Sequence, residues 1–441
     1  MKSFFKKIVI EILTWEARLV LARYQPKVVA VTGSVGKTST KDALFAVIES
    51  EFRSRRSEKS FNGEIGVPLT ILGLPNGWNN PFVWLSNIFN GFILCFFPKI
   101  LQTKAIGFPE WLVLEIGADH PGDIENITKW LHPDAVVVTR MSEVPVHVEF
   151  FKSPEEVIKE KTFLVQALRD SGTLFLNADD KDVMSMRDAK RNTLLFTFGI
   201  EEPADFQSSN LEVTYEKLNG DNAPSGITFK VNYNGNSVPI NVLGRFGRQH
   251  IYPALAALAF GQSLGLNTVS MADSLANYLP SPGRMRIIPG VKNTTIIDDS
   301  YNSSPVAVRE ALRTLGEIKT IGRKIAVLGD MLELGKYSVE EHKKAGKEVI
   351  GVAEILVTVG LRARDIAMGG LNNGMNERNI FQFDDSLGAG KYIEMMLEEG
   401  DIVLVKGSQG ARMEKIVEEI MAEPDRASEL LARQDPEWKN R

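Results

Sequence analysis

The sequence predicts an α/β protein with two parts: a P-loop central domain on a parallel sheet, and a C-terminal doubly wound, Rossmann-like domain. Three observations carry this. Short apolar runs at residues 28–31, 111–116, 135–139 and 172–176 alternate with amphipathic stretches, the rhythm of βαβ units. The first run leads straight into Gly33-Ser34-Val35-Gly36-Lys37-Thr38, a glycine-bracketed loop ahead of a helical sequence. Beyond residue 281, "TTIIDDSYN", "KIAVLGDM", "EILVTVG" and "DIVLVKGS" each end an apolar run in small or acidic residues before a helical pattern. In a doubly wound sheet, chemistry gathers at those carboxyl ends.

The 441 residues are 44% hydrophobic and 24% charged, enough to build two or three packed domains. A formal net charge of −5 gives no footprint for nucleic acid, so none is expected as a partner. One cysteine, Cys95, excludes an internal disulfide framework and points to a reducing, cytoplasmic location.

Residues 1–25 read as an N-terminal amphipathic helix. Lys7, Glu11, Thr14 and Arg18 form a polar stripe, while Phe4, Phe5, Ile8, Ile12, Leu13, Trp15, Leu19 and Val20 cover much of the rest. Glu11, Glu16 and Arg18 interrupt the run and no small-residue cleavage site follows, so it is not a signal peptide. Such a helix either packs on its own domain or lies on a membrane surface.

An apolar insertion near 78–108 contains "PFVWLSNIFNGFILCFFPKIL". Ser86, Asn87 and Asn90 leave it short of the roughly 20 clean residues of a spanning helix. An interfacial or re-entrant hairpin is expected, with a packed insertion between two strands as the alternative. From 208 to 242, short alternating runs with Asn-Gly turns predict hairpins on the edge of the same domain, and helix returns over 251–264. "LPSPGRMRII" at 279–288 marks a boundary. The central domain is therefore expected over 26–280, the C-terminal domain over 281–422 and a charged tail over 423–441.

In the glycine loop, Gly33 and Gly36 let backbone N–H groups turn toward an anion at a helix N-terminus. Lys37 supplies a point charge to terminal phosphates, and Thr38 a hydroxyl to Mg²⁺. Val31 stands where the usual spacing has glycine, so the loop is a variant. In "WLVLEIGADHPGDI", Glu115 ends a strand near this loop, where a hard oxygen donor suits Mg²⁺; an ordinary loop acid is the other reading. Taken alone, His147 reads as a loop histidine, and Lys159 and Lys161 as parts of a solvated helix face.

Together these pieces resemble the Mur ligase family, ATP-dependent amide-bond-forming enzymes of cell-wall synthesis. The resemblance runs from about Val28 to Glu419 and is closest to the dipeptide-adding branch. It rests on "TGSVGKTST", "FNGEIGVPLT", "LEIGADHPGDI", "LNADD", Gly283-Arg284, "DDSYNSSP", "LGDMLELG" and "VKGS".

The resemblance implies that Gly33, Ser34, Gly36, Lys37, Thr38 and Ser39 hold ATP, with Thr38 and Glu115 on one magnesium and His147 on a second. Lys161 falls in the slot of a carbamylated lysine that helps position that second metal, completing a catalytic set of Lys37, Glu115, His147 and Lys161. Arg284 and Asp299 would reach ATP from the C-terminal domain, and Asn302, Lys406 and Ser408 would lie on the second-substrate side.

The implied activity adds a D-alanyl-D-alanine-like dipeptide to a UDP-MurNAc-tripeptide-like peptidoglycan precursor through an acyl phosphate. The alternative is a Mur-type ligase of another amino acid, or of a lipid-linked acceptor at the membrane. Two departures accompany the resemblance. Only about 25 residues precede the loop strand, so the family's UDP-binding domain is expected to be absent. Gln249, His250 and Pro253 replace residues used near adenine. Peripheral contact with the inner face of the membrane is a further expectation, from the two apolar segments.

Overall fold

The computed structural model describes residues 3–58, 61–96, 107–218, 221–278, 281–435 and 438. Residues 97–106 of the expected insertion, the side chains of residues 1–5 and most of 436–441 lie outside the described residues.

The central domain is a nine-stranded sheet in the order β2-β3-β1-β4-β5-β6-β7-β8-β9. Its parallel strands are β1 (Lys27–Thr32), β2 (Ser54–Arg56), β3 (Trp111–Glu115), β4 (Ala135–Val138), β5 (Thr173–Asn177) and β6 (Leu194–Gly199). β3 and β4 are buried along their whole length, as strands covered by helices on both faces must be. β7 (Phe206–Leu218), β8 (Asp221–Tyr233) and β9 (Asn236–Leu243) extend the edge as antiparallel strands, and Asn234-Gly235, both at positive φ, turn β8 into β9.

α2 (Lys37–Ile48) and α8 (Ile251–Ser263) pack one face of this sheet. α1 (Ser3–Tyr24), α3 (Gly66–Leu72), α4 (Pro81–Phe96), α5 (Asp123–Thr128) and α6 (Pro154–Gln166) pack the other. α7 (Lys181–Ser185) and α9 (Thr268–Asn277) complete the domain. Because β1 lies between β3 and β4, the crevice at its carboxyl end is a topological switch point, and the phosphate loop sits there.

Over 81–96 the expected hairpin does not form; α4 is one continuous helix. Asn90-Gly91, which could turn a hairpin, instead gives α1 a close approach: a Cβ on Gly91 would stand 2.1 Å from Glu16 Oε2. Among the described residues no helix is long and apolar enough to cross a membrane.

The second sheet has the order β10-β11-β15-β12-β13-β14. Only β10 (Arg286–Gly290) is antiparallel to its neighbour; β11 (Thr294–Asp299), β12 (Lys324–Gly329), β13 (Ile355–Val359), β14 (Ile380–Phe383) and β15 (Ile402–Lys406) run parallel. α10 (Pro305–Glu317), α11 (Ser338–Glu348), α12 (Arg364–Asn372), α13 (Ser386–Met396) and α14 (Glu414–Ile420) pack around it. The β11/β15 register sets Asp299 beside Lys406, at carboxyl ends that face the first domain's crevice.

Candidate active site

The two crevices share one cleft of about 580 Å³. On its floor the phosphate loop holds a shape only glycine permits. Gly33 has φ 143°, and a Cβ there would come within 2.0 Å of Thr139 Oγ1. Gly36, at φ 87°, starts α2 from the left-handed region. Ser34 N–H donates to Arg140 O at 2.7 Å, pinning the loop to the end of β4. Lys37 Nζ donates to Gly33 O at 2.9 Å. Burial pushes its pKa down, and Glu115 opposes that shift.

Thr38 is the centre of the polar network. Its hydroxyl donates to Glu115 Oε2 at 2.8 Å and accepts from Arg284 Nη2 at 2.9 Å. Asn62 Nδ2 donates to the other Glu115 oxygen at 3.0 Å. Glu115 is 1% exposed, so these bonds are what keep a buried carboxylate satisfied. Arg284 also lies over the ring of Tyr301, 4.3 Å from its centroid.

Across the cleft, Lys406 Nζ donates to Asp299 Oδ2 at 2.6 Å and to Asn302 O at 2.9 Å. Burial raises the Asp299 pKa and Lys406 pulls it back. Asp299 also accepts from Met285 N–H at 3.2 Å, which orients the segment carrying Arg284.

His147 has φ 70°, with Nδ1 2.6 Å from Glu333 Oε2 and Nε2 3.3 Å from Asp119 Oδ1. Lys161 is 3% exposed. Burial, reinforced by Lys37, pushes its pKa down to about 7, against Asp119 and Glu160. The solvated-face reading therefore fits the exposed Lys159 and fails for Lys161.

The cleft lining includes Ser34, Gly36, Lys37, Thr38, Ser39, Glu115, His147, Arg284, Asp299, Asn302 and Lys406. Gly33, Lys161 and Ser408 stand behind it. Ser408 Oγ accepts from Leu332 N–H at 2.9 Å and its own N–H donates to Asp330 O at 2.9 Å, which ties the end of β15 to the "LGDMLELG" turn. At the far end, Asn177, Gln249, His250 and Pro253 line the wall. Burial pushes His250 down to about 3, so it is neutral there. Tyr252 Oη donates to Asp179 Oδ2 at 2.8 Å.

Asn62, Asp119 and Glu333 were missed as individual site residues. Each lies in a stretch with family-like sequence, but the contact that gives it a role spans 28 residues or more, beyond the reach of local spacing. Arg140, which pairs with Glu310 at 3.1 Å between the domains, left no sequence signal.

Two family models match in tandem: Mur ligase middle domain over residues 96–261, and Mur ligase, glutamate ligase domain, over 283–409. The chain belongs to the Mur ligase family. As such it is an ATP-dependent carbon–nitrogen ligase of the acid–amino-acid class.

Among relatives of this Mur ligase, UDP-N-acetylmuramoyl-tripeptide–D-alanyl-D-alanine ligase of Bacillus subtilis is 27% identical over 410 residues, covering 92% of this chain and 79% of the relative. The enzyme of the same name from Escherichia coli is 28% identical over 412 residues, covering 92% and 78%. The fold matches the crystal structure of MurF ligase from Thermotoga maritima in complex with ADP, with a TM-score of 0.74, 24% identity and coverage of 93% and 83%.

Proposed function

We propose that this Mur ligase adds D-alanyl-D-alanine to UDP-MurNAc-tripeptide, the reaction for which its Bacillus subtilis and Escherichia coli relatives are named. The observation that carries the chemistry is the Thr38 hydroxyl, held between Glu115 of one domain and Arg284 of the other. Ligation of another amino acid, or of a lipid-linked acceptor, is not favoured by these relatives.

The residues fit ATP and Mg²⁺. Gly33 and Gly36, both at positive φ, wrap the loop at the N-terminus of α2, where backbone N–H groups suit phosphate, and the Thr38 hydroxyl and Glu115 carboxylate are hard oxygen donors beside it. When bound, magnesium offsets charge on the phosphoryl group being transferred.

A carboxylate is a poor electrophile, and transfer of the γ-phosphoryl group makes it an acyl phosphate that an amine can attack. Lys37 would leave the loop carbonyls for the transferring phosphate, where its charge favours the transition state. Arg284 and the Asp299–Lys406 pair close the C-terminal side, excluding water from the activated acyl group. Asn302 and Lys406 face the incoming dipeptide from the ends of β11 and β15, and Ser408 supports that turn from behind.

Lys161 would carry a carbamate and, with His147, serve a second magnesium. Its enclosed amine, held down to about 7, is substantially neutral near neutral pH, as attack on CO₂ requires. The reading keeps the boundaries proposed from the sequence, 26–280 for the central domain and 281–422 for the C-terminal domain. We place the reaction in the cytoplasm, at the inner face of the membrane.

The test is phosphate release on adding ATP, UDP-MurNAc-tripeptide and D-alanyl-D-alanine, with mass spectrometry of the product. A pentapeptide product supports the reading; release that needs a different amine or acceptor overturns the substrate assignment.

A further inference from the structure

We infer that the ridge formed by α4 and the outer edge of α1 docks on an anionic lipid bilayer. On α4, Phe82, Leu85, Phe89, Phe92 and Phe96 recur at three- and four-residue steps and are all exposed, Phe82 at 80% and Phe89 at 62%. That spacing puts them on one face of a helix. The opposite face, Trp84, Asn87, Gly91 and Cys95, is buried. Trp15 of α1 continues the ridge: its ring centroid is 6.2 Å from that of Phe96, which lies 4.7 Å from that of Phe92. A contiguous apolar surface of this kind on a folded protein marks an interaction site.

The ridge is rigidly supported. Asn87 Nδ2 donates to Pro75 O at 2.7 Å, Trp84 Nε1 to Trp78 O at 3.0 Å, and Arg23 Nη1 to Cys95 O at 2.8 Å. Gly91 lets the Glu16 carboxyl press against α4. These contacts seat the buried face of α4 against α1 and the loop before it, and leave its aromatic side chains pointing outward.

Charge selects the occupant. The whole chain carries −5, yet residues 1–26 hold five Lys or Arg against two Glu, one of them the buried Glu16, and α4 holds no charged residue. Lys7, Arg18 and Arg23 of α1 are exposed. These α1 cations beside an exposed aromatic face match anionic headgroups above acyl chains, where each nearby Lys or Arg adds to binding and aromatic rings settle at the interface. Two copies meeting ridge to ridge would bring these cations together.

The loop entering α4 carries Asn76 and Trp78 to the wall of the cleft, so docking sets the cleft beside the bilayer. This inference deepens the proposed location at the membrane's inner face and does not depend on which amine is ligated.

The test is flotation of the full chain with vesicles of phosphatidylcholine, alone or mixed with phosphatidylglycerol, at low and high salt. Binding is expected to the mixed vesicles at low salt. Phe82→Ser with Phe89→Ser should weaken it by about tenfold or more, and Lys7→Gln with Arg18→Gln severalfold, both with unchanged turnover on soluble substrates. No binding of the wild type, equal binding to both vesicle types, or equal binding of the phenylalanine variant would each overturn the inference. So would a dimer in sedimentation velocity that the phenylalanine variant dissolves, because a second copy would then cover the ridge. Vesicle binding by a protein without ligase turnover would instead count against the proposed reaction and leave the docking surface standing.

Discussion

Arg284 Nη2 donates to Thr38 Oγ1 at 2.9 Å, and this bond joins the C-terminal domain to the phosphate loop. Thr38 in turn donates to Glu115, so one hydroxyl links domain closure to the carboxylate proposed to hold magnesium. Arg284→Ala should lower kcat by roughly 10²–10³ and increase the radius of gyration in small-angle scattering. Unchanged turnover in a protein of unchanged size would remove the cross-domain bond from the account.

Lys37→Ala should reduce ATP-dependent ligation by roughly 10²–10³ or more without lowering the melting temperature. Burial already disfavours the Lys37 charge, so its removal relieves the folded state while disabling the reaction, the usual opposition of stability and function at a site. Phosphate release and a thermal melt on the same preparation check this. Retained turnover would contradict the loop assignment.

Lys161→Ala should lose most turnover, with partial rescue by a small carboxylate such as formate that can fill the space of a carbamate. Native mass spectrometry of the wild type should show one labile CO₂ adduct, absent from the variant. A fully active wild-type protein whose Lys161 is unmodified would rule out the carbamate.

Glu16 gives a pH dependence of known sign. It is 1% exposed, its Oε2 has no partner among the described residues, and burial raises its pKa to about 7. Between the ordinary glutamate range and about pH 7, the folded state keeps a proton that the unfolded state has released. Stability therefore falls as pH rises through that window, and the full cost remains above it. Glu16→Gln should flatten the slope and stabilise the protein above about pH 7 by about 1–2 kcal/mol. Parallel melting curves for wild type and variant across the window would show that the carboxyl is solvated.

The parallel sheets and the P-loop were legible because their signals are local. β1 and the glycines that follow it are contiguous, and each C-terminal strand ends in the small or acidic residues that its crevice needs. Thr38 stood out in the sequence as a loop hydroxyl, and the family resemblance set it beside Glu115, but the hydrogen bonds themselves were not legible: Glu115 and Arg284 reach Thr38 from distant parts of the chain, Asn62 reaches Glu115, and only the packing of two domains brings them together. The burial of Lys161 was hidden for a similar reason, since α6 shows the same polar sequence whether a lysine faces solvent or the floor of the cleft. At α4, an Asn-Gly pair that suggests a turn in isolation is overridden by the close fit of Gly91 against α1.

The central claim is that the γ-phosphoryl group activates a carboxylate before an amine attacks it. The most direct measurement uses an acceptor whose terminal carboxylate carries heavy oxygen, followed by mass analysis of the phosphate released during ligation. The account predicts one heavy oxygen transferred to phosphate per amide bond formed, since the acyl phosphate's bridging oxygen leaves with phosphorus. Phosphate free of the label, in a reaction that still forms the amide bond, would contradict it.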